Sequence, residues 1–124
     1  MNIPTTKLYI GTTASGKTTK CIQHAANALW LGKSVLFVND EGYKEDLMGR
    51  IGERLFTLNT HVFKNIPNIK IAVTSNKDEN YYTGAKFDVV IVDCFGEVNY
   101  NFFRSLAVQE YYETRQASKD LFFN

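Results

Sequence analysis

Gly11, Gly16, Lys17 and Thr18 stand at the spacing G-x-x-x-x-G-K-[ST] inside the stretch YIGTTASGKTTKC. Residues of these types at this spacing cradle phosphate. The two glycines let the backbone curl round an anion and aim successive N–H groups inward. A helix opening near Lys17 adds the positive end of its dipole. Lys17 reaches the β- and γ-phosphates of a bound nucleotide, and the Thr18 hydroxyl is a ligand for Mg²⁺. The loop residues Thr12, Thr13, Ala14 and Ser15, with Thr19 behind Thr18, complete an expected nucleotide-binding set running from Gly11 to Thr19.

Such a loop needs a carboxylate across from the hydroxyl. FDVVIVD supplies one, because Asp93 follows the apolar run Val89, Val90, Ile91 and Val92. An aspartate there supports Mg²⁺ opposite Thr18. Hydrolysis also needs a group that orients or deprotonates water. Many ATPases with this loop place a glutamate directly after the aspartate, whereas this chain has Cys94. The acids Asp40 and Glu41 follow the apolar run VLFVN, and carboxyl ends of parallel strands line a common crevice. Glu41 is therefore the expected base, with Glu97 as the fallback and Lys17 as the second catalytic residue.

The elements that must carry these residues alternate. Strand character appears in KLYI (7–10), SVLFVN (34–39), IKIAVT (69–74) and DVVIVD (88–93). The last is continuously apolar, as suits a strand buried on both faces. Between the first two, Cys21, Ile22, Ala25, Ala26, Leu29 and Trp30 have helical spacing, and Gly32 is placed to end that helix. Leu47, Ile51, Leu55 and Leu58 mark a second helix, weakened by Gly49 and Gly52. The polar link SNKDENYYTGAKF (75–87) is short for a parallel crossover, and its structure stays open. Phe102, Phe103, Leu106, Ala107, Glu110, Tyr111 and Thr114 predict a helix over 99–117, with DLFFN as a short fifth strand or an end. The alternation predicts one α/β domain over 1–124 with a mostly parallel sheet of four or five strands flanked by helices.

GTTASGKTT, GKSVLFVNDEGYKEDLMGRI and FDVVIVD together resemble the ATPase core shared by RecA-type recombinases and hexameric DnaB-type replicative helicases. The resemblance covers nearly the whole chain, although only these motifs are specific. It implies a three-layer, RecA-like P-loop NTPase fold, with ATP and Mg²⁺ as cofactors. It also implies that Glu41 activates water, that Asp93 supports the metal, and that Arg50 is the arginine of the following helix. A late strand inserted between the P-loop strand and the magnesium-site strand is implied as well. ASKDLFFN is the expected candidate for it, with Asn124 at the position of a polar sensor that is commonly Gln. The implied partners are a nucleotide, DNA or a DNA-processing protein, and further copies of the chain. The family's DNA-binding loops and intersubunit residues have no counterpart in these motifs, so slow hydrolysis without a partner is expected. An arginine finger supplied in trans is worth about 10³–10⁵-fold.

Two other functions remain open. LYIGTTASGKTTKCI also resembles the opening of thymidine kinases, but that family follows its aspartate with a carboxylate and carries a zinc lasso. Cys94 and two scattered cysteines match neither feature. A non-catalytic nucleotide-binding module, docking on a larger ATPase through Tyr81, Tyr82, Tyr100, Tyr111, Tyr112, Phe122 and Phe123, is the third reading; packing of most of these rings in the core is the simpler expectation.

Composition narrows the field. With 14 basic and 13 acidic side chains, bulk charge argues for neither nucleic acid nor an anionic membrane. Cys21 and Cys94 have no C-x-x-C spacing and read as reduced thiols. No membrane span or signal peptide is visible, so a cytoplasmic protein is expected. His24 and His61 lack a second ligand at metal spacing and are expected in packing or surface roles.

Overall fold

Five strands form one all-parallel sheet: β1 (Thr5–Gly11), β2 (Val35–Asn39), β3 (Ile71–Ser75), β4 (Phe87–Asp93) and β5 (Ala107–Gln116), in the spatial order β1-β5-β4-β2-β3. The computed structural model describes residues 3–11, 16–40, 44–58 and 70–116. Among the described residues three α-helices flank the sheet: α1 (Lys17–Trp30), α2 (Lys44–Leu58) and α3 (Tyr100–Ser105). Among the described residues no helix is long and apolar enough to cross a membrane.

Strand alternation divides the core in two. Val35, Phe37, Val89, Ile91 and Tyr112 face α1 and α2, meeting Cys21, Ile22, Ala25, Leu29, Leu47, Ile51 and Leu55. Leu36, Val38, Val90, Val92 and Tyr111 face the other way, onto Phe103 and Leu106 of the α3 region. This is why residues 35–38 of β2 and 89–92 of β4 are apolar without a break: neither face meets water there.

Local signals set the element ends. Gly32 adopts φ 79°, and Lys33 N–H donates to Ala28 O at 2.9 Å, the long bond of a Schellman stop. The amino ends of β2 and β4 are clipped together: Ser34 N–H donates to Asp88 Oδ2 and Asp88 N–H to Ser34 Oγ, both at 2.9 Å. The link before β4 contains only a single 3-10 turn at Glu79–Tyr82, whose Tyr82 packs on the α3 side.

One expectation is overturned. The predicted helix over 99–117 is only the six residues of α3, followed at once by the ten-residue strand β5. Asn99 caps α3 by accepting from Phe102 N–H at 3.2 Å. Leu106 then turns the chain, and its carbonyl accepts from Phe87 N–H at 2.9 Å. Tertiary demand outweighs the helical spacing, because β1 and β4 both need a partner and only a strand fits between them. The residues 107–116 suit that slot, with Val108, Tyr111, Tyr112 and Thr114 favouring extended backbone. The inserted strand is thus 107–116; ASKDLFFN and Asn124 lie outside the described residues, as does the Leu58 side chain. On the far side β1 has no strand neighbour among the described residues, and there Leu8 and Ile10 are 51% and 61% exposed.

Candidate functional site

The carboxyl ends of the parallel strands and the start of α1 converge on one crevice. Gly16 precedes α1 at φ 82°, a left-handed conformation that a β-carbon would strain. Among the described residues no side chain caps this helix, and its first turn carries no acid. Buried Lys17 sends its ammonium back to Gly11 O at 2.6 Å and to Gln116 Oε1 at 3.4 Å.

Asp93 is the hub. Thr18 Oγ1 donates to its Oδ2 and Thr114 Oγ1 to its Oδ1, each at 2.8 Å. Register explains the second contact. Val92 sits opposite Glu113, so the next pair brings Asp93 beside Thr114. The same alternation puts Gly11 opposite Gln116, beside the Lys17 ammonium. Sequence reasoning missed Thr114 and Gln116 because it placed residues 107–116 in a helix. The available signal was the β-rich run YYETRQ ending in a glutamine.

In front of this hub lies a cleft of about 220 Å³ lined by Thr18, Asn39, Asp40, Asp46, Leu47, Arg50, Asp93 and Phe95. Asp40 is committed to structure. It accepts from Phe95 N–H at 2.8 Å and from Gly96 N–H at 3.2 Å, tying the end of β2 to the turn after β4. Arg50 reaches the cleft from α2. Exposed Glu97 is not among its lining residues, and the Glu97 carbonyl accepts from Asn76 Nδ2 at 3.1 Å. Glu41, Thr12, Thr13, Ala14 and Ser15 lie outside the described residues. Of the predicted site residues, Gly11, Gly16, Lys17, Thr18 and Asp93 come together, and Thr19 follows on the exposed side of α1.

No protein-family model matches the chain, and no curated protein matches it significantly.

The Thr18 hydroxyl and Asp93 carboxylate are two hard oxygen donors on adjoining elements. Among the described residues no three His, Cys, Asp or Glu side chains cluster closely enough to hold a metal. That donor set suits Mg²⁺, which takes one or two protein oxygens, keeps waters and draws the remaining ligands from phosphate. Neither cysteine adds a nucleophile. Burial, and then Asp93, push the Cys21 thiol up; burial, Asp40 and Asp93 do the same to Cys94. Cys94 faces the α3 side, with Sγ 3.6 Å from Val38 O.

The remaining sequence candidates are structural. His24 stacks between Tyr9 and Tyr112, at 5.8 and 4.1 Å between centroids, with Nε2 2.7 Å from the Tyr9 hydroxyl. Tyr111 and Tyr112 are buried and only Tyr81 stands well exposed among the tyrosines considered for docking, while Phe122, Phe123 and His61 lie outside the described residues.

Proposed function

We propose that this domain binds ATP with Mg²⁺ at the mouth of α1 and hydrolyses it, as a RecA-like P-loop NTPase core serving DNA processing. The observation that carries the reading is the 2.8 Å contact between Thr18 Oγ1 and Asp93 Oδ2 beside the Lys17 ammonium. It joins the two halves of a metal–phosphate site from segments 75 residues apart. The placement of β5 between β1 and β4, ending in Gln116, agrees with the inserted strand and polar sensor that the resemblance implies.

Thr18 and Asp93 would hold Mg²⁺, which neutralises charge between the β- and γ-phosphates when bound. Lys17 would exchange Gly11 O and Gln116 for phosphate oxygens, and the amides of the first turn of α1 would bind the same phosphates. Glu41, next to pinned Asp40, is assigned to orient and deprotonate water.

The test is ATP turnover with and without single-stranded DNA. Lys17→Ala abolishes binding, and Glu41→Gln lowers turnover at least about tenfold with binding retained. Unchanged turnover in Glu41→Gln removes the base assignment. Stimulation by DNA supports the DNA-processing role, which rests on resemblance alone. A phosphorylated product from ATP and a nucleoside would replace hydrolysis by the kinase reading, for which the cleft beside Asp93 offers room. Nucleotide binding without turnover in any arm identifies a regulatory module.

A further inference from the structure

A second groove, of about 260 Å³, runs between α1 and α2, lined by Thr19, Ile22, Gln23, Arg50, Glu53 and Arg54. Arg50 and Arg54 are one helical turn apart, a spacing that places side chains on the same face. Among the described residues neither arginine has an ion-pair or hydrogen-bond partner, and Arg54 Nε is buried without an acceptor. A buried guanidinium N–H left unpaired is costly, and an acceptor entering the groove would relieve that cost.

The geometry points to a second phosphate-binding site here, one that takes the phosphate of an anionic ligand other than the nucleotide on the P-loop. Two forked guanidinium groups converging on one groove are matched to a phosphate's oxygens. Gln23 stands beside them as a partner for a hydroxyl or amide group on the ligand's body. The groove is smaller than the roughly 300–1,000 Å³ of pockets that enclose drug-sized molecules, so it fits a phosphate with a small attached group. Arg50 also lines the cleft before Asp93. An occupant would therefore lie one side chain from the P-loop site.

The probe is inorganic phosphate, titrated into ¹⁵N-labelled Lys17→Ala chain so that the P-loop does not compete. The Arg54 Nε–H signal is followed by NMR in the Lys17→Ala chain, and the Arg50 Nε–H and the Thr19 and Gln23 backbone amides, which also line the groove, report binding in every variant. A saturable displacement is expected, with affinity falling about tenfold in the added variant Arg54→Gln and less in Arg54→Lys, which keeps the charge but not the fork. If Lys17→Ala does not fold, the native chain saturated with Mg²⁺ and ADP replaces it. A displacement no larger than that from chloride at equal ionic strength overturns the site, as does equal affinity in Arg54→Gln. AMP and a short oligothymidylate then separate the sources of the phosphate. Tighter binding of AMP than of free phosphate assigns a mononucleotide-like ligand, and tighter binding of the oligomer assigns a nucleic-acid backbone. Weaker binding of both, with free phosphate still saturating, assigns a phosphate bearing only a small group. Because the P-loop is silenced in this titration, its failure leaves the ATP reading standing; that reading fails separately, on nucleotide binding by the native chain.

Discussion

Thr114→Val tests whether β5 holds the Asp93 carboxylate, the proposed Mg²⁺ ligand, in place. The threonine is buried, at 1% exposure, and its hydroxyl donates to Asp93 Oδ1 at 2.8 Å. Valine keeps the branched shape and the strand preference but removes the donor. A hydrogen bond to a charged acceptor is worth about 1.5–3 kcal/mol. Burying a methyl in place of the hydroxyl returns about 0.8 kcal/mol, leaving a net loss of about 1–2 kcal/mol. For a domain of this size that is a fall in Tm of about 3–12 °C without ligand. Function should suffer in parallel, because Asp93 then hangs on Thr18 alone. Thermal melts of the native chain, Thr114→Val, Asp93→Asn and the double variant close a cycle, run with and without Mg²⁺ and ATP. A coupling of about 0.5–3 kcal/mol is expected for groups in contact. Additive losses, or a Thr114→Val chain that melts like the native one, would show that Asp93 is positioned without β5.

Four further expectations follow from other parts of the molecule. With ATP at about 100 times its Kd and Mg²⁺ present, the native chain gains about 2.7 kcal/mol, and Lys17→Ala loses that gain in the same melts. Gly49→Ala and Gly52→Ala should each stabilise by about 1 kcal/mol, since a β-carbon at either position in α2 meets nothing within 4 Å; a fall in Tm would contradict that open space. His24 is held below its ordinary pKa, first by burial and then by Lys7 and Lys20, so the folded state resists its protonation. Stability is full above the unfolded value of 6.5 and falls as pH drops below it, and His24→Phe should flatten that part of a Tm–pH curve. Glu113→Ala strips the acceptor from the Tyr111 hydroxyl at 2.8 Å and from Arg115 Nε at 2.6 Å; a urea melt should show a loss of about 1–3 kcal/mol.

How legible these features are in the sequence depends on what each residue owes to its neighbours in the chain. The first four strands, the first two helices and the stop at Gly32 follow from local pattern, because each segment's own residues decide it. Gly16, Lys17 and Thr18 carry their chemistry within one turn. Asp93 was readable because it ends an apolar run that only a buried central strand would tolerate. β5 is also central, yet its buried stretch Tyr111, Tyr112, Glu113 and Thr114 contains two polar residues. Both are inside the protein because partners wait there. Glu113 accepts from Tyr111 and Arg115 on the α3 face, and Thr114 binds Asp93 on the α1 face. Stripped of those partners, the segment reads as amphipathic, and the run beginning at Phe102 extends the helical spacing across the boundary.

The same dependence on distant partners displaces the expected polar end of the inserted strand toward the carboxyl terminus. A helix over 99–117 leaves only ASKDLFFN to become a strand, which puts Asn124 in the role. Once β5 begins at Ala107, the residue reaching the level of Gly11 is Gln116. Its Oε1 lies 3.4 Å from the Lys17 ammonium, on the face of the sheet that also presents Thr114. Thr114 and Gln116 are two apart, as same-face residues of a strand must be. One strand thus touches both Asp93 and Lys17, and no spacing confined to GTTASGKTT or to FDVVIVD encodes that. A change in either contact is felt directly along β5. On its opposite face β5 carries Glu113, which lies 3.8 Å from Arg104 of α3, and Arg115, whose guanidinium sits 3.8 Å from the Tyr100 ring centre. The side chains that grip the site and those that grip α3 therefore alternate along four consecutive residues, 113–116, so neither set can shift without dragging the backbone that holds the other.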